Sequence, residues 1–203
     1  MFKKIAAETL GLSDIGKIIS PADYDKVDAD DYLFHEDGEK IFFLIKSQKD
    51  EYCFTNLALI HVDGDSAISN KRIVKRYEYA SYQVSQVFIE TAGNIDLDIE
   101  IKFTLGNSQV FSIDVDRKSL ESLKDIYKVL ITISKLQHKE EISRNNAVLC
   151  LQALSSMYKI NNIENEASIV QHFNTIFVNF NATILERYTK RDFSNIFEKY
   201  IRL

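Results

Sequence analysis

Residues 90 to 105 read Glu90-Thr91-Ala92-Gly93-Asn94-Ile95-Asp96-Leu97-Asp98-Ile99-Glu100-Ile101-Lys102-Phe103-Thr104-Leu105. From Ile95 onward, apolar Ile95, Leu97, Ile99, Ile101, Phe103 and Leu105 alternate with Asp96, Asp98, Glu100, Lys102 and Thr104. A period of two is the mark of a strand with one buried face, and such strands belong mostly to antiparallel sheets whose other face is wet. Gly93-Asn94 supplies the turn that precedes it. The wet face carries Asp96, Asp98 and Glu100 at successive positions, about 6.5 to 7 Å apart. Calcium or magnesium needs oxygens converging at about 2 to 2.6 Å, whereas side chains stepped along a strand diverge. The row is therefore read as a solvated outer face, with metal-assisted hydrolysis as a lesser alternative.

Working outward, the same punctuated pattern predicts about seven strands, near 39–46, 51–55, 57–63, 71–79, 83–91, 95–105 and 109–115. Breaks fall at Gln48-Lys49-Asp50, Asn56, Asp63-Gly64-Asp65 and Gly106-Asn107. Asp116 opens a helix to about Gln137, with Leu120, Leu123, Ile126, Tyr127, Leu130 and Ile133 on one face at spacings of three and four. Beyond residue 138 strand signals stop. Ile142, Val148, Leu151, Leu154, Met157 and Tyr158 suggest a long helix that Asn161-Asn162 breaks. Ser168-x-x-Gln171 has the form of a capping box for a second helix, antiparallel to the first, bearing Ile169, Phe173, Ile176, Phe177, Phe180 and Ile184. A last short helix capped by Asp192 carries Phe193, Ile196, Phe197, Tyr200 and Ile201. A hairpin alone is too small to bury all these faces, so they must pack on the first domain or on other copies. The domains are set at 1–137 and 138–203.

At the other end, Phe2, Ile5, Ala6, Thr9 and Leu10 share one side of a short helix ending at Gly11. With Lys3 and Lys4 it offers a small membrane-touching face, though docking on the protein's own core is preferred. Ser20-Pro21-Ala22-Asp23 looks like a helix start. The acidic stretch that follows, Asp23 to Glu39, lacks the spacing of an EF-hand and is expected to be solvated surface.

The chain has 203 residues, 45% of them hydrophobic, and a formal net charge of -5. Residues 1–136 hold 23 acidic and 17 basic side chains against 7 and 8 in 137–203, so the front is acidic and the tail near neutral. That balance argues against nucleic-acid binding, which neutralises phosphates with lysine and arginine. The one basic run, Lys71-Arg72-Ile73-Val74-Lys75-Arg76, divides its charges between two strand faces and suits a solvated or edge strand. Cys53 and Cys150 lie far apart in apolar runs, as expected of buried free thiols in a reducing compartment. No apolar run approaches the roughly 20 residues that span a bilayer. A cytoplasmic protein is expected.

Several short pieces together resemble the bacterial pleckstrin-homology-like (PH) family, in the branch that carries a C-terminal YvbH-like oligomerisation region. They are Leu12-Ser13-Asp14-Ile15-Gly16, His35-Glu36-Asp37-Gly38-Glu39, Phe54-Thr55-Asn56 with Leu59-Ile60, and Glu90-Thr91-Ala92-Gly93 followed by Asp96-Leu97-Asp98-x-Glu100. The resemblance covers essentially the whole chain. It implies a mainly β fold with added helices: a seven-stranded, strongly bent antiparallel sheet or barrel capped by a C-terminal helix, then a helical hairpin. It also implies closed homo-oligomeric rings and no catalytic activity. Phosphoinositide-binding PH domains usually place a K-x-R-x-R-like cluster in their first hairpin; here Lys46-Ser47-Gln48-Lys49-Asp50-Glu51 mixes two lysines with two acids. Their capping-helix tryptophan is absent too.

The sequence carries no catalytic signature. His35, His61, His138 and His172 are scattered without zinc spacing, and no nucleophile elbow or phosphate loop is present. The remaining catalytic option is Asp96 and Asp98 meeting His35 or His61 in space. No cofactor and no metal is expected. The expected partners are other copies of the chain and another protein. Self-association is assigned to Leu151, Leu154, Phe173, Phe177 and Phe180, and the polar interaction surface to Asp96, Asp98, Glu100, Lys71, Arg72, Lys75 and Arg76.

Overall fold

The computed structural model describes residues 14–64, 72–91, 98–160, 166–189 and 191–202. It divides into two compact units, Met1–Ser134 with Asp192–Leu203, and Lys135–Arg191.

The first unit holds two antiparallel sheets. One is a meander of β1 (Lys17–Ile18), β2 (Ile41–Lys46), β3 (Glu51–Thr55), β4 (Ala58–Gly64) and β5 (Arg72–Glu78); the other is β6 (Val84–Thr91), β7 (Asp98–Leu105) and β8 (Gln109–Asp116). All seven expected strands are present, and the two-residue β1 is an addition that no alternation could signal. Residues 92–97, with Asp96 and the turn at Gly93-Asn94, lie outside the described residues. Of the expected inner face, Ile99, Ile101, Phe103 and Leu105 are buried. They share one core with Phe43, Ile45, Phe54 and Leu59 from the first sheet. Phe54 lies 6.0 Å from Phe103, and Tyr77 meets Phe111 edge-on at 5.3 Å. Each such side chain taken fully out of water contributes about 1.5 to 3 kcal/mol.

The acidic stretch departs from its expected role as solvated surface. Pro21–Lys26, Asp28–Tyr32 and His35–Asp37 form three short 3-10 helices. Val27, Ala29 and Leu33 from this layer join Ile19 in a second core with Leu44, Cys53, Ile60 and Val62, on the opposite face of the first sheet. Buried on both faces, β2 to β4 read as almost continuous apolar runs instead of alternating ones. Most of the acids still face outward, so their number concealed the few apolar residues between them.

Gly16 fastens the two sheets together. Its N–H donates to the Asp114 carbonyl at 2.8 Å and its carbonyl accepts from the Asp116 N–H at 3.1 Å, while β1, which begins at the next residue, pairs with β2. A Cβ on Gly16 would lie 2.6 Å from Ile45 Cγ2 and 2.9 Å from the Asp114 carbonyl oxygen, so no larger residue fits without a shift.

Asp116 does open the helix: its carboxylate accepts from the Lys118 N–H at 2.9 Å, above a 3-10 turn that leads into α1 (Leu120–Ile160). The expected face is buried in the core at Leu123, Ile126, Leu130 and Ile133. The helix runs on without the expected break near Gln137, so two expected helices are one. After α2 (Glu166–Thr189), the short α3 (Ser194–Tyr200) returns to the first unit. There Phe193, Ile196 and Phe197 enter the core, with Phe197 stacked on Phe42 at 5.0 Å.

The second unit contains the remainder of α1 and all of α2. Arg191, just past α2, pairs with Glu140 near the start of this part of α1, so the two helices run antiparallel. α2 begins at Glu166, two residues before the expected cap at Ser168. Asn161-Asn162 lies outside the described residues.

Candidate functional site

The motifs that carried the family resemblance build the scaffold. Glu39 is only 2% exposed. Its carboxylate accepts from the Thr55 hydroxyl at 2.6 Å and the Phe34 N–H at 2.9 Å, and pairs with Arg76 at 3.0 Å. A buried carboxylate is tolerable only with such partners. Next to it, buried Asn56 accepts the Lys40 N–H at 2.9 Å and donates to Asp192 at 3.0 Å. Glu51, also buried, accepts from the Asp28 and Ala29 N–H groups at 3.1 and 2.8 Å and pairs with Lys46. Residues from the H-E-D-G-E and F-T-N pieces thus join the 3-10 layer, the first sheet and α3.

The charged row of β7 lies on the open face of the second sheet. Asp98 stands opposite Asp116, and Glu100 opposite both Glu90 on β6 and Asp114 on β8. Lys102 bridges Glu90 at 2.6 Å and Glu100 at 2.7 Å, and Ser112 also donates to Glu100. The hydrogen bonds from Lys102 and Ser112 hold the Glu100 carboxyl below its usual range. Burial first, then Glu100 and Asp98, push that of Asp114 up. Among the described residues, no group of three or more His, Cys, Asp or Glu converges as a metal site would require. Thr104, expected on this wet face, is largely covered: a bulge between Ser85 and Phe88 puts Gln86 at φ 50°, and its side chain meets the Thr104 hydroxyl at 3.1 Å.

The basic run is divided by its strand. β5 lies at the end of its sheet among the described residues. Arg72 pairs with Asp28 at 3.6 Å, Lys75 with Asp63 at 3.1 Å, and Arg76 with Glu39 and Glu78. Lys71 lies outside the described residues. Among the described residues, Asp98 and Glu100 are on a different sheet from these cations. Sequence reasoning missed Glu90, Asp114 and Asp116, whose alignment with β7 depends on strand register.

Nor do the histidines join the acidic row. His35 lies 3.4 Å from Asp30, and His61 lies 3.2 Å from Asp50, stacked on Tyr52 at 4.5 Å. Both belong to the first sheet or its 3-10 cover. Cys53 is buried as expected, and that burial pushes its thiol up. Cys150 is exposed, contrary to expectation, as are Val148 and Leu149 before it on α1.

The second unit exposes large apolar residues on both of its helices. On α2, Phe173 and Phe177 are 63% and 52% exposed and stack on each other at 5.9 Å, with Val170 and Val178 exposed beside them. On α1, Ile142, Val148 and Leu149 are exposed. Leu151 and Phe180 are half-buried, and the side chain of Leu154 lies outside the described residues. So does the N-terminal segment with Phe2, Lys3, Lys4 and Ile5. No described helix is long and apolar enough to cross a membrane.

Comparison with known proteins gives concordant matches. The bacterial PH domain model matches residues 9–134, and the model of a YvbH-like oligomerisation region matches residues 150–202. The chain is 52% identical over 206 aligned residues to the uncharacterized protein YvbH of Bacillus subtilis (strain 168), covering 99% of both. It is 33% identical over 97 residues to the uncharacterized protein YjqA of the same organism, covering 48% of this chain and 76% of that one. The crystal structure of a PH domain-containing bacterial protein from Exiguobacterium sibiricum 255-15 superposes with a TM-score of 0.83 at 42% identity, over 93% of this chain and 100% of that one.

Proposed function

The chain belongs to the bacterial PH domain family, with a YvbH-like oligomerisation region toward its C-terminus, and from that premise we propose a non-catalytic, self-associating protein. In this reading the helical hairpins hold copies in a closed ring, and the PH-like units present a repeated polar face to another protein. Repetition raises avidity when several contacts engage at once. The observation that carries the reading is the exposed stripe of Val170, Phe173 and Phe177, three and four residues apart on one side of α2. Apolar patches of this kind mark interaction surfaces.

Within residues 138–203, assembly is assigned to the hairpin, because Asp192–Leu203 packs with the sheets. Among the described residues, His35 and His61 meet Asp30 and Asp50 instead of Asp98. A cytoplasmic location suits the free thiols of Cys53 and Cys150.

The test is Phe173→Asp combined with Phe177→Asp, read by light scattering coupled to size exclusion. The intact protein is expected to have a multimeric mass and the double variant a monomeric one, with the unfolding transition of the PH unit retained. A monomeric intact protein, or a double variant of unchanged mass, overturns the reading.

A further inference from the structure

Like charges directly opposite one another in a sheet are destabilising, yet the open face of β6, β7 and β8 sets three such pairs side by side: Asp98 with Asp116, Glu100 with Glu90, and Glu100 with Asp114. Lys102 serves Glu90 and Glu100; among the described residues, no lysine or arginine pairs with Asp98 or Asp114. On β5, by contrast, Arg72, Lys75 and Arg76 each meet an acid. The face is also apolar at one end. Phe88, opposite Lys102, and Val110, opposite Thr104, are 48% and 73% exposed. Along a strand, these rows lie about 7 and 14 Å from the row of Glu100.

A sheet face that breaks the pairing rule and leaves large apolar side chains in water has the marks of a functional surface. Among the described residues, Asp98 and Asp114 have no lysine or arginine partner and Phe88 and Val110 stay exposed, and one kind of partner supplies both a charge and an apolar cover.

We propose that this face, the polar face of the preceding section and dependent on that reading, docks an extended cationic segment of a partner protein. Lysines or arginines of the segment lie over Asp98 and Asp114, on either side of the Lys102-paired Glu100, and an apolar side chain further along covers Phe88 and Val110. Binding supplies the missing counter-ions, so the repulsion borne by the free sheet is relieved in the complex. Anionic partners are rejected by the same charges.

The probe is a fluorescein-labelled synthetic peptide in which lysine alternates with threonine and two phenylalanines stand at one end. Its binding to the intact protein is read by fluorescence anisotropy at low and high salt. Asp98→Lys with Asp114→Lys is expected to weaken binding by about tenfold or more. Asp25→Lys with Glu36→Lys, an equal charge change on the 3-10 layer, is expected to leave it nearly unchanged. Phe88→Ser is expected to weaken it about fivefold. Asp98→Asn with Asp114→Asn, the shape-preserving pair, is expected to weaken it by at least about threefold.

Equal loss in the Asp25 and Glu36 variant, or no loss in the Asp98 and Asp114 variants, overturns the proposal. So does a change of assembly mass in those variants, which would make the face a contact between copies. A monomeric intact protein that binds the peptide here would sink the assembly reading and leave this one standing; an assembled protein that ignores the peptide would do the reverse.

Discussion

The Asn56 side-chain amide donates to the Asp192 carboxylate at 3.0 Å, across 136 positions of sequence. Its backbone carbonyl also accepts the Phe193 N–H at 3.0 Å. This one residue of the β3–β4 turn thereby holds the start of the C-terminal segment against the sheet. Phe193, Ile196 and Phe197 then fill the core beside Tyr79 and Phe42.

Replacing Asn56 with Ala leaves the Lys40 N–H without its side-chain acceptor and takes one of its donors from Asp192, at a cost of about 1 to 3 kcal/mol. For a unit of this size each kcal/mol lowers Tm by about 2 to 4 °C. The loss depends on pH. Burial works against ionisation of Asp192, but the hydrogen bonds from Ser194 and Asn56, aided by Lys40, outweigh it and hold the carboxyl below its ordinary value of 3.8. A depressed carboxyl contributes stability above its unfolded pKa and loses it as pH falls through the folded one. The gap between the native protein and Asn56→Ala, followed by urea melts, is expected to be widest near neutrality and to narrow in strong acid.

Gly16→Ala forces a methyl group against Ile45 and the Asp114 carbonyl, where the sheets are joined. The expected loss is about 1 to 3 kcal/mol, with Gly16 and Asp116 amide protons exchanging faster by NMR. An unchanged urea midpoint would show that the clasp carries no strain-sensitive contact.

Asp114 has the opposite sign to Asp192. Its carboxyl is raised above 3.8 by burial and by Glu100 and Asp98, so its ionisation costs the folded state stability above the folded pKa, and that cost vanishes below the unfolded one. Asp114→Asn is expected to raise Tm at pH 7 and to match the native protein near pH 3, where both side chains are uncharged. A lower Tm at pH 7 would contradict the crowding of like charges on this face.

Arg191 pairs with Glu140, so the two ends of the hairpin meet. Replacing residues 141–190 with a short glycine-serine linker is expected to leave the sheets, the first part of α1 and α3 folded, and to abolish assembly. Light scattering reads the mass and near-ultraviolet circular dichroism the tyrosine-rich core. Cutting the chain after residue 137 should be far more damaging, because it also removes Phe193, Ile196 and Phe197 from the core.

Much of the fold was legible because sheet and helix periods are local properties. The alternation along β7 reports its buried Ile99, Ile101 and Phe103, and the spacing from Leu123 to Ile133 reports the face of α1 in the core. The candidate surfaces were only partly legible. Asp98 and Glu100 could be read from their own strand, whereas their neighbours Asp116, Glu90 and Asp114 come from strand register. Phe173 and Phe177 stood out as one helix face, but their exposure in the single chain is a result of packing.

The sequence by itself determined the family, the seven longer strands and the buried faces of β7 and of the first part of α1, since these follow from side-chain pattern within ten or so residues. Tertiary structure alone decided that an acidic stretch covers a second core through Val27, Ala29 and Leu33, and that Glu39 is a buried linchpin instead of a surface charge. It also decided that the last helix returns to the sheets at Asn56. Each of these depends on contacts between residues far apart in the chain, where a charged residue is acceptable inside if its partners are there, and no local pattern records whether they are.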